Sequence, residues 1–239
     1  MKEYFSDKIK NDIILHSKRE YPNESCGLVI NDEYIECENI YEDKKKGFRI
    51  DKNVMLDAYK SDKLQAVIHS HCDTERSWAS GEDIKRQEQS GVPWGIVDLI
   101  NNSVRKVFFF GDQLPIQDLM ERPFVHGVYD CWGLCRDYWR LKGYEIPNFP
   151  RDWGWWIEGE NVIMENAEKA GFEILEPDNL QPDDLVIARI KWKYPNHCGI
   201  YTGDGLVLHH WASRTSLSCK IPYNTIKKYI TYIARKREI

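Results

Sequence analysis

The stretch YDCWGLCRDYWRLKG, residues 129–143, places an acidic residue directly before a cysteine and continues with an apolar stripe of helical spacing. Leucine and tyrosine side chains recur three or four residues apart, which predicts an amphipathic helix that packs on a core. Asp130 is a favourable N-cap residue, so we expect the helix to begin at Cys131. A thiol in the first turn lies at the positive end of the helix dipole, which favours the thiolate. The stretch therefore predicts a nucleophilic cysteine.

Cys135 lies one helical turn after Cys131. A cysteine at that position is typical of a buried core side chain. A zinc site formed by Cys131, Cys135 and a histidine is an alternative, but no fourth ligand is evident in the sequence.

The stretch HCGIYTGDGLVLHHW, residues 197–211, supplies histidines for the thiol. Its two apolar runs are joined by a glycine-containing turn, which predicts a β-hairpin. His197 begins the first strand and His209 ends the second, so we expect their rings close to opposite each other across the pair. His210 points to the other face. We predict that one of these two imidazoles activates Cys131 and that the other orients it.

The elements around these two stretches predict an α+β domain. A tryptophan- and proline-rich loop occupies 145–157, a helix is expected near 160–171, and strands are expected at 184–190, 197–203, 205–211 and 229–236. A helical half followed by consecutive strands favours an antiparallel sheet. Residues 111–123 contain two prolines and no clear periodicity, which is typical of a linker.

The residues before the linker predict a separate α/β unit. Its elements are an amphipathic helix over 5–20, strands at 26–30 and 34–40, a helix near 52–62, a strand at 64–71, a helix at 80–90, and a strand pair at 94–100 and 104–110.

The stretch HSHCDTERSWASGED, residues 69–83, follows a buried strand of this unit. Residues two apart on a strand share a face, so His69 and His71 are able to bind one metal, with Asp83 as a third ligand. Glu24 precedes the strand that we expect beside the histidines, and Ser80 is a candidate oxyanion partner. The spacing alone does not distinguish a metal site from a polar loop with two histidines.

The charge and the apolar content exclude several classes of protein. A net charge of −5 argues against binding to nucleic acid. No apolar run is long enough for insertion into a membrane, and the N-terminus lacks a signal-peptide core, so we expect synthesis in the cytoplasm. Seven cysteines without a small-scaffold spacing argue against a disulfide framework.

The C-terminal motifs resemble the NlpC/P60 family of papain-like peptidases. DCWGL, HCGIYTGDG and LHH occur in the order and spacing of that family, and the motifs cover most of residues 115–239. QPDDLV, residues 181–186, resembles the entry to a strand of the same family, with Asp183 in place of glycine. The resemblance implies a papain-like α+β fold and a triad of Cys131, His197 and His209. It also implies cleavage of amide bonds in the stem peptides of bacterial peptidoglycan. The tryptophans of the 145–157 loop are expected either to line the substrate cleft or to pack in the core.

The N-terminal motifs resemble the JAB1/MPN/Mov34 metalloproteases (JAMM) over residues 1–112. ESCGLVI and HSH…SGED carry this resemblance, with Cys72 at a position where the family has proline and one extra residue between His71 and Ser80. It implies one zinc ion bound by His69, His71 and Asp83. It also implies Glu24 as general acid/base and Ser80 as oxyanion partner.

The fusion of the two domains resembles tail assembly proteins of lambda-like phages. That resemblance implies a virion component at the tail tip, made in the host cytoplasm, which contacts other tail proteins and acts at the host cell wall. Two alternatives are a purely structural tail protein and a zinc isopeptidase that processes tail proteins.

Overall fold

The computed structural model describes residues 4–75, 77–158, 161–213 and 216–237. The chain forms two compact units, Met1–Pro115 and Ile116–Ile239, and the division falls inside the segment that the sequence predicts as a linker. All seven cysteines are free. Among the described residues, no helix combines the length and the apolar content that crossing a membrane requires.

In its described residues, the N-terminal unit forms a mixed five-stranded sheet with three helices. The strand order is β2-β1-β3-β4-β5, in which only β3 and β4 run parallel. The elements are α1 (Asp7–Glu20), β1 (Cys26–Ile30), β2 (Glu33–Cys37), α2 (Lys52–Lys60), β3 (Leu64–Cys72), α3 (Gly81–Ser90), β4 (Trp94–Ile100) and β5 (Ser103–Phe110). The predicted order of helices and strands is confirmed, and the predicted strand at 34–40 ends earlier, at Cys37.

The core of this unit forms between α1 and one face of the sheet. Ile9 and Ile13 on α1 pack with Ala66 and Ile68 on β3. The central strand β3 is buried through most of its length because neighbouring strands cover both its edges and residues of α1 cover one of its faces. This burial fixes the direction in which β3 ends, and therefore the position of the two histidines at its carboxyl end.

The part of the C-terminal unit that the structure describes contains a six-stranded sheet in which every paired strand is antiparallel, as the α+β expectation requires. The strand order is β10-β9-β8-β7-β11-β6. The elements are α4 (Cys131–Leu141), α5 (Trp155–Glu158), α6 (Val162–Lys169), β6 (Phe172–Leu175), β7 (Leu185–Ala188), β8 (His197–Tyr201), β9 (Leu206–His209), β10 (Cys219–Pro222), α7 (Tyr223–Ile226) and β11 (Ile230–Lys236), with short 3-10 helices at Pro177–Asn179 and Lys227–Tyr229.

The sequence did not predict the edge strands β6 and β10. Each has four residues, of which only Phe172 is buried, so neither carries an apolar run that would indicate a strand. The predicted helix near 160–171 is present as α6, and residue 160 lies outside the described residues. The four predicted strands are confirmed as β7, β8, β9 and β11, each shorter than expected because the turns take up their ends.

Helix α4 packs its apolar face on β8, as the stripe in its sequence predicts. Trp132, Leu134 and Cys135 are buried against Cys198 and Ile200 of that strand. The stripe ends one turn earlier than expected: Leu141 is the last residue of the helix and is 60% exposed. The helix nevertheless begins at Cys131, as the sequence predicts, because the Asp130 side chain caps it.

Gly133 allows the first turn of α4 to approach the preceding loop closely. A Cβ atom at this position would lie 2.0 Å from the carbonyl oxygen of Val128, a distance that only a backbone shift relieves. No side chain other than hydrogen fits at position 133, so this glycine is needed for the placement of Cys131.

We expect Gly133→Ala to lower the free energy of unfolding by about 1–3 kcal/mol or more, because overpacking forces the backbone of the first turn away from the Val128 carbonyl. Urea denaturation of the full chain measures this change. Leu141→Ala, on the exposed end of the same helix, is the matched control and should change stability by about 0.5 kcal/mol or less. Equal midpoints for the glycine variant and the wild type would contradict the argument from close approach.

Candidate active sites

Cys131 is the first residue of α4 and is half-buried. Cys131 and His197 line the same cleft, and His197 and the thiol of Cys198 are the groups that most influence the ionisation of the Cys131 thiol. His197 begins β8, the strand on which α4 packs. The packing of one helix on one strand therefore brings the cysteine to the histidine that the sequence assigns to it.

His197 and His209 meet across the hairpin of β8 and β9. The Nε2 atom of His197 lies 3.1 Å from the Nδ1 atom of His209. The two residues are diagonal neighbours rather than directly opposite, because the strand register pairs His209 with Gly199. A Cβ atom at position 199 would lie 3.1 Å from the Cβ atom of His209, so the glycine leaves room for the second ring.

This arrangement assigns each nitrogen of the His197 ring to a different partner. His209 contacts Nε2, which leaves Nδ1 for the thiol of Cys131. A nucleophile, a base and an orienting group in a linear order are the geometry that thiol hydrolases require. The structure therefore brings together the three residues that the sequence predicts as catalytic.

Trp211 covers the histidine pair, a contact that no motif in the sequence predicts. Its ring stacks on His197 with centroids 4.6 Å apart and planes at 13°, and it meets the edge of His209 at 4.7 Å. It is 38% exposed. One side of the indole therefore faces solvent while the other shields the histidine–histidine hydrogen bond from water, which strengthens that bond.

The pKa of the Cys131 thiol is raised well above its ordinary value. The hydrogen bond to Cys198 is the main cause and burial is the second, while His197 opposes them. The direction of this shift is opposite to the one that the helix dipole alone favours, because the contact with Cys198 and burial both stabilise the protonated thiol. Burial lowers the pKa of His209 to about 4, so this ring is neutral at neutral pH.

Asp130 and Arg151 form a buried ion pair at the start of α4. Arg151 donates from Nε and Nη2 to the two carboxylate oxygens at 2.8 and 2.7 Å. The same oxygens accept the backbone N–H groups of Gly127 at 2.8 Å and Gly133 at 2.9 Å. The sequence predicted Asp130 as an N-cap, but nothing in it indicated that Arg151, 21 positions later, is its partner.

The cleft beside Cys131 is lined by two of the three tryptophans that the sequence singles out. Trp155 and Trp156 line it together with Phe149. Trp153 is not among the lining residues; it packs edge-on against His126, with ring centroids 5.4 Å apart. Trp155 and Trp156 also pack in or against the hydrophobic core, so cleft lining and packing both apply to these two side chains.

Cys135 is buried, in agreement with the packing role that the sequence predicts for it, and its sulfur atom lies 3.8 Å from that of the buried Cys198. Across the described residues, three potential ligands of the histidine, cysteine and acidic types converge at one place only, and that place is in the N-terminal unit. Cys131 and Cys135 do not belong to that cluster, so the described residues do not form the alternative zinc site of the C-terminal unit.

The converging ligands are His69, His71 and Asp83. The two Nε2 atoms lie 3.1 Å apart, and the Asp83 oxygens lie 3.4 Å from His69 and 3.5 Å from His71. Tetrahedral zinc with bonds of about 2.0–2.1 Å separates its ligands by about 3.3 Å. Two imidazole nitrogens and a carboxylate at these distances fit zinc, and the donor set leaves a fourth position open.

The His69 side chain is fully buried and is held between aromatic rings. Phe48 stacks on it at 4.4 Å and Trp94 meets its edge at 5.6 Å. Burial lowers the pKa of His69 to about 3, which keeps the ring neutral and its lone pair available to a metal. The buried Nδ1 atoms of both histidines have no hydrogen-bond partner, so Nε2 is the atom that each presents at the cluster.

Ser80 and Asp83 form a capping box at the start of α3. The Ser80 hydroxyl donates to the Asp83 carboxylate at 2.7 Å, and the Ser80 backbone N–H donates to the same oxygen at 2.8 Å. These bonds aim the carboxylate at the histidines. In this arrangement Ser80 orients a ligand, and its role toward an oxyanion stays a prediction.

Glu24 lies two residues before the start of β1 and lines the same cleft as His69 and His71, a cleft of about 650 Å³. The antiparallel register of β1 and β3 pairs Cys26 with His69, which brings the preceding residues beside the histidines. Burial raises the pKa of Glu24 to about 7, with His71 opposing the shift. A carboxyl group with this pKa is suited to proton transfer near neutral pH.

Cys72 does not join the metal-ligand cluster. Its thiol donates to the carbonyl oxygen of Asn23 at 3.3 Å, beside Glu24. The extra residue between His71 and Ser80 lies in a loop, of which Arg76 is outside the described residues, and the three ligand atoms converge in spite of it. Neither departure from the metalloprotease pattern displaces His69, His71 or Asp83.

The NlpC/P60 family model matches residues 121–236, which include the whole Cys131–His197–His209 arrangement. The C-terminal unit is therefore an NlpC/P60 domain. Tail tip assembly protein K of Escherichia phage lambda is 35% identical over 155 residues, which cover 65% of this chain and 73% of the relative. Tail tip assembly protein K of Escherichia phage N15 is 31% identical over 218 residues, 88% of this chain and 86% of the relative. The chain belongs to the family of these tail tip assembly proteins.

We expect Arg151→Ala to lower the free energy of unfolding by about 3–5 kcal/mol at pH 7, because it leaves the Asp130 carboxylate buried without its partner. In the wild type, Arg151 holds the pKa of Asp130 well below its usual range. The stabilisation that results from this lowered pKa is present above about pH 3.9, the pKa of an aspartate in the unfolded chain. It is lost as the pH falls through the lower pKa that Asp130 has in the folded protein.

Without the arginine, the pKa of Asp130 should rise, so protonation of Asp130 relieves the variant as the pH is lowered. The difference in the free energy of unfolding between the variant and the wild type should therefore narrow from pH 7 to about pH 4. Urea denaturation at both pH values measures it. Lys142→Ala removes the more exposed pair with Asp183 and should cost about 1 kcal/mol or less. A variant as stable as the wild type at pH 7 would show that the ion pair is dispensable.

Proposed function

We propose that the protein is a phage tail-tip hydrolase that cleaves amide bonds in the stem peptides of peptidoglycan. The observation that carries the proposal is the linear order Cys131–His197–His209 inside an NlpC/P60 domain. The names of the two relatives support a place among other proteins of the virion tail. The protein would be made in the host cytoplasm and would act at the host cell wall.

In the proposed reaction, Nδ1 of His197 takes the proton of the Cys131 thiol as the sulfur attacks the amide carbonyl carbon. The new C–S bond gives a tetrahedral oxyanion, which a backbone N–H group in the first turn of α4 stabilises. The C–N bond then breaks, and the leaving amine takes the proton from His197. Water, deprotonated by the same ring, hydrolyses the thioester and restores the thiol.

The raised pKa of Cys131 gives His197 an active part in this reaction. The thiol is protonated at rest, so the proton must pass to His197 during the attack. The neutral His209 ring accepts a hydrogen bond from Nε2–H of His197 and holds that ring in place. Trp211 keeps water away from this bond.

The N-terminal unit supports a second, zinc-dependent hydrolytic function, for which the converging ligands His69, His71 and Asp83 are the supporting observation. A bound zinc would supply a polarised water for attack on an amide. Glu24 would hold and move the proton of that water, and Ser80 would orient Asp83. A protein-processing isopeptidase in tail assembly is the candidate activity.

Purified muropeptides test the cysteine hydrolase. The wild-type chain should cleave them, and Cys131→Ala should reduce the rate by at least about a thousandfold, because the nucleophile is lost. Cys37→Ala, a cysteine of the other unit, is the matched control and should cleave like the wild type. Equal cleavage by the wild type and Cys131→Ala, or no cleavage by either, would contradict the proposal.

Metal analysis tests the zinc site. The wild type purified with zinc should carry about one ion per chain, and His71→Ala should lose it because a ligand is removed. Cys72→Ser should keep it, since the thiol of Cys72 faces a backbone carbonyl. A wild-type chain without metal after purification with zinc would refute the site. Processing of a tail protein that is lost in His69→Ala and retained in Cys131→Ala would identify the isopeptidase.

A further inference from the structure

The line of contacts from Cys131 through the two histidines continues to a second cysteine. Strand β10 lies beside β9, and the register pairs Cys219 with His209. The sulfur of Cys219 lies 3.7 Å from Nε2 of His209, within the range of a hydrogen bond to sulfur. The opposite nitrogen of the same ring, Nδ1, faces His197 at 3.1 Å.

In the neutral His209 ring, one nitrogen carries a hydrogen and the other carries a lone pair. The ring therefore donates one of its two hydrogen bonds and accepts the other. If Nε2 carries the hydrogen, it donates to the Cys219 sulfur, and Nδ1 accepts from Nε2–H of His197. If Nδ1 carries the hydrogen, it donates to Nε2 of His197, and Nε2 of His209 must accept.

The choice between these tautomers decides what His197 presents to Cys131. With His209 protonated on Nε2, His197 carries its hydrogen on Nε2, and its Nδ1 lone pair faces the thiol. With His209 protonated on Nδ1, a neutral His197 carries its hydrogen on Nδ1 and is unable to take the thiol proton. After proton transfer, the imidazolium of His197 again needs an acceptor at Nδ1 of His209.

We propose that Cys219 is a positioning residue that accepts a hydrogen bond from Nε2–H of His209 and thereby fixes His197 as a base. The inference rests on the proposed function of Cys131. Its physical basis is that His209 is fully buried, so the sulfur, rather than bulk water, is the acceptor beside Nε2. An N–H without an acceptor in that place would cost free energy, and the ring would change tautomer.

The sequence alone did not indicate this role. Cys219 follows His209 by ten positions, and the four-residue strand that carries it has too weak a pattern to be predicted. The pairing of β9 with β10 is what sets the sulfur against the ring.

Three variants of the full chain test the proposal. Cys219→Ala removes the acceptor, and kcat on muropeptides should fall about tenfold with KM unchanged, because the group acts through His209 and does not touch substrate. Cys219→Ser keeps an acceptor and should restore most of kcat. Cys37→Ala, on the N-terminal unit, should leave both constants unchanged.

Nitrogen-15 NMR of the imidazole rings reports the tautomer of each histidine. These tautomers would not depend on Cys219 if its role were merely structural. In the wild type, His209 should be protonated on Nε2 and His197 on Nε2, and Cys219→Ala should show a mixture of tautomers. Cys219→Ser should return to the wild-type pattern. Thermal unfolding of each variant shows whether a loss of rate is a loss of fold.

Three results would overturn the proposal. One is a wild-type His209 protonated on Nδ1, which would make Cys219 a donor. Another is a folded Cys219→Ala with wild-type tautomers and wild-type kcat. The third is a kcat that falls equally in the serine and alanine variants. If the wild type cleaves no muropeptide, the proposed function fails, while the NMR comparison still decides the role of Cys219.

Discussion

The carboxylate of Asp130 is the group on which the C-terminal site depends most. It is almost fully buried, and its two oxygens accept four hydrogen bonds, two from the Arg151 side chain and two from backbone N–H groups. These bonds join the loop before α4, the first turn of α4 and the tryptophan-rich loop at one point. Cys131 is the next residue along the chain, so its position is set by an electrostatic interaction that would be costly to break.

The two candidate sites use the same structural solution with different chemistry. In each, buried strands bring two histidines to the site, β3 alone in the N-terminal unit and β8 with β9 in the C-terminal unit, and the first turn of a helix brings the group that faces them. A capping interaction holds that first turn: Ser80 bonds the Asp83 carboxylate at the start of α3, and Asp130 bonds Gly133 at the start of α4. The start of a capped helix is a rigid place for a ligand or a nucleophile, because its backbone and side chain are fixed together.

Environment, rather than residue type, sets the chemical state of the groups in both sites. Burial keeps His69 and His209 neutral, so that one is able to bind a metal and the other is able to accept a hydrogen bond. The contact with Cys198 keeps the Cys131 thiol protonated in spite of the helix dipole, and burial raises the pKa of Glu24 to about 7. None of these shifts follows from the local sequence, because each depends on which residues the fold places around the group.

The sequence by itself determined most of the elements, the caps at Ser80 and Asp130 and the candidate site residues, because these depend on local periodicity and on short motifs; the short edge strands β6 and β10 carry no such pattern. The start of α4 at Cys131, the end of β3 at the histidines and the hairpin of β8 and β9 all follow from that local information. Only the tertiary structure decided the diagonal contact of His197 with His209, the stacking of Trp211, the pairing of Arg151 with Asp130 and the approach of Cys219. Each of these joins residues on different elements, and their distance is set by strand register and side-chain packing, which a linear pattern does not encode.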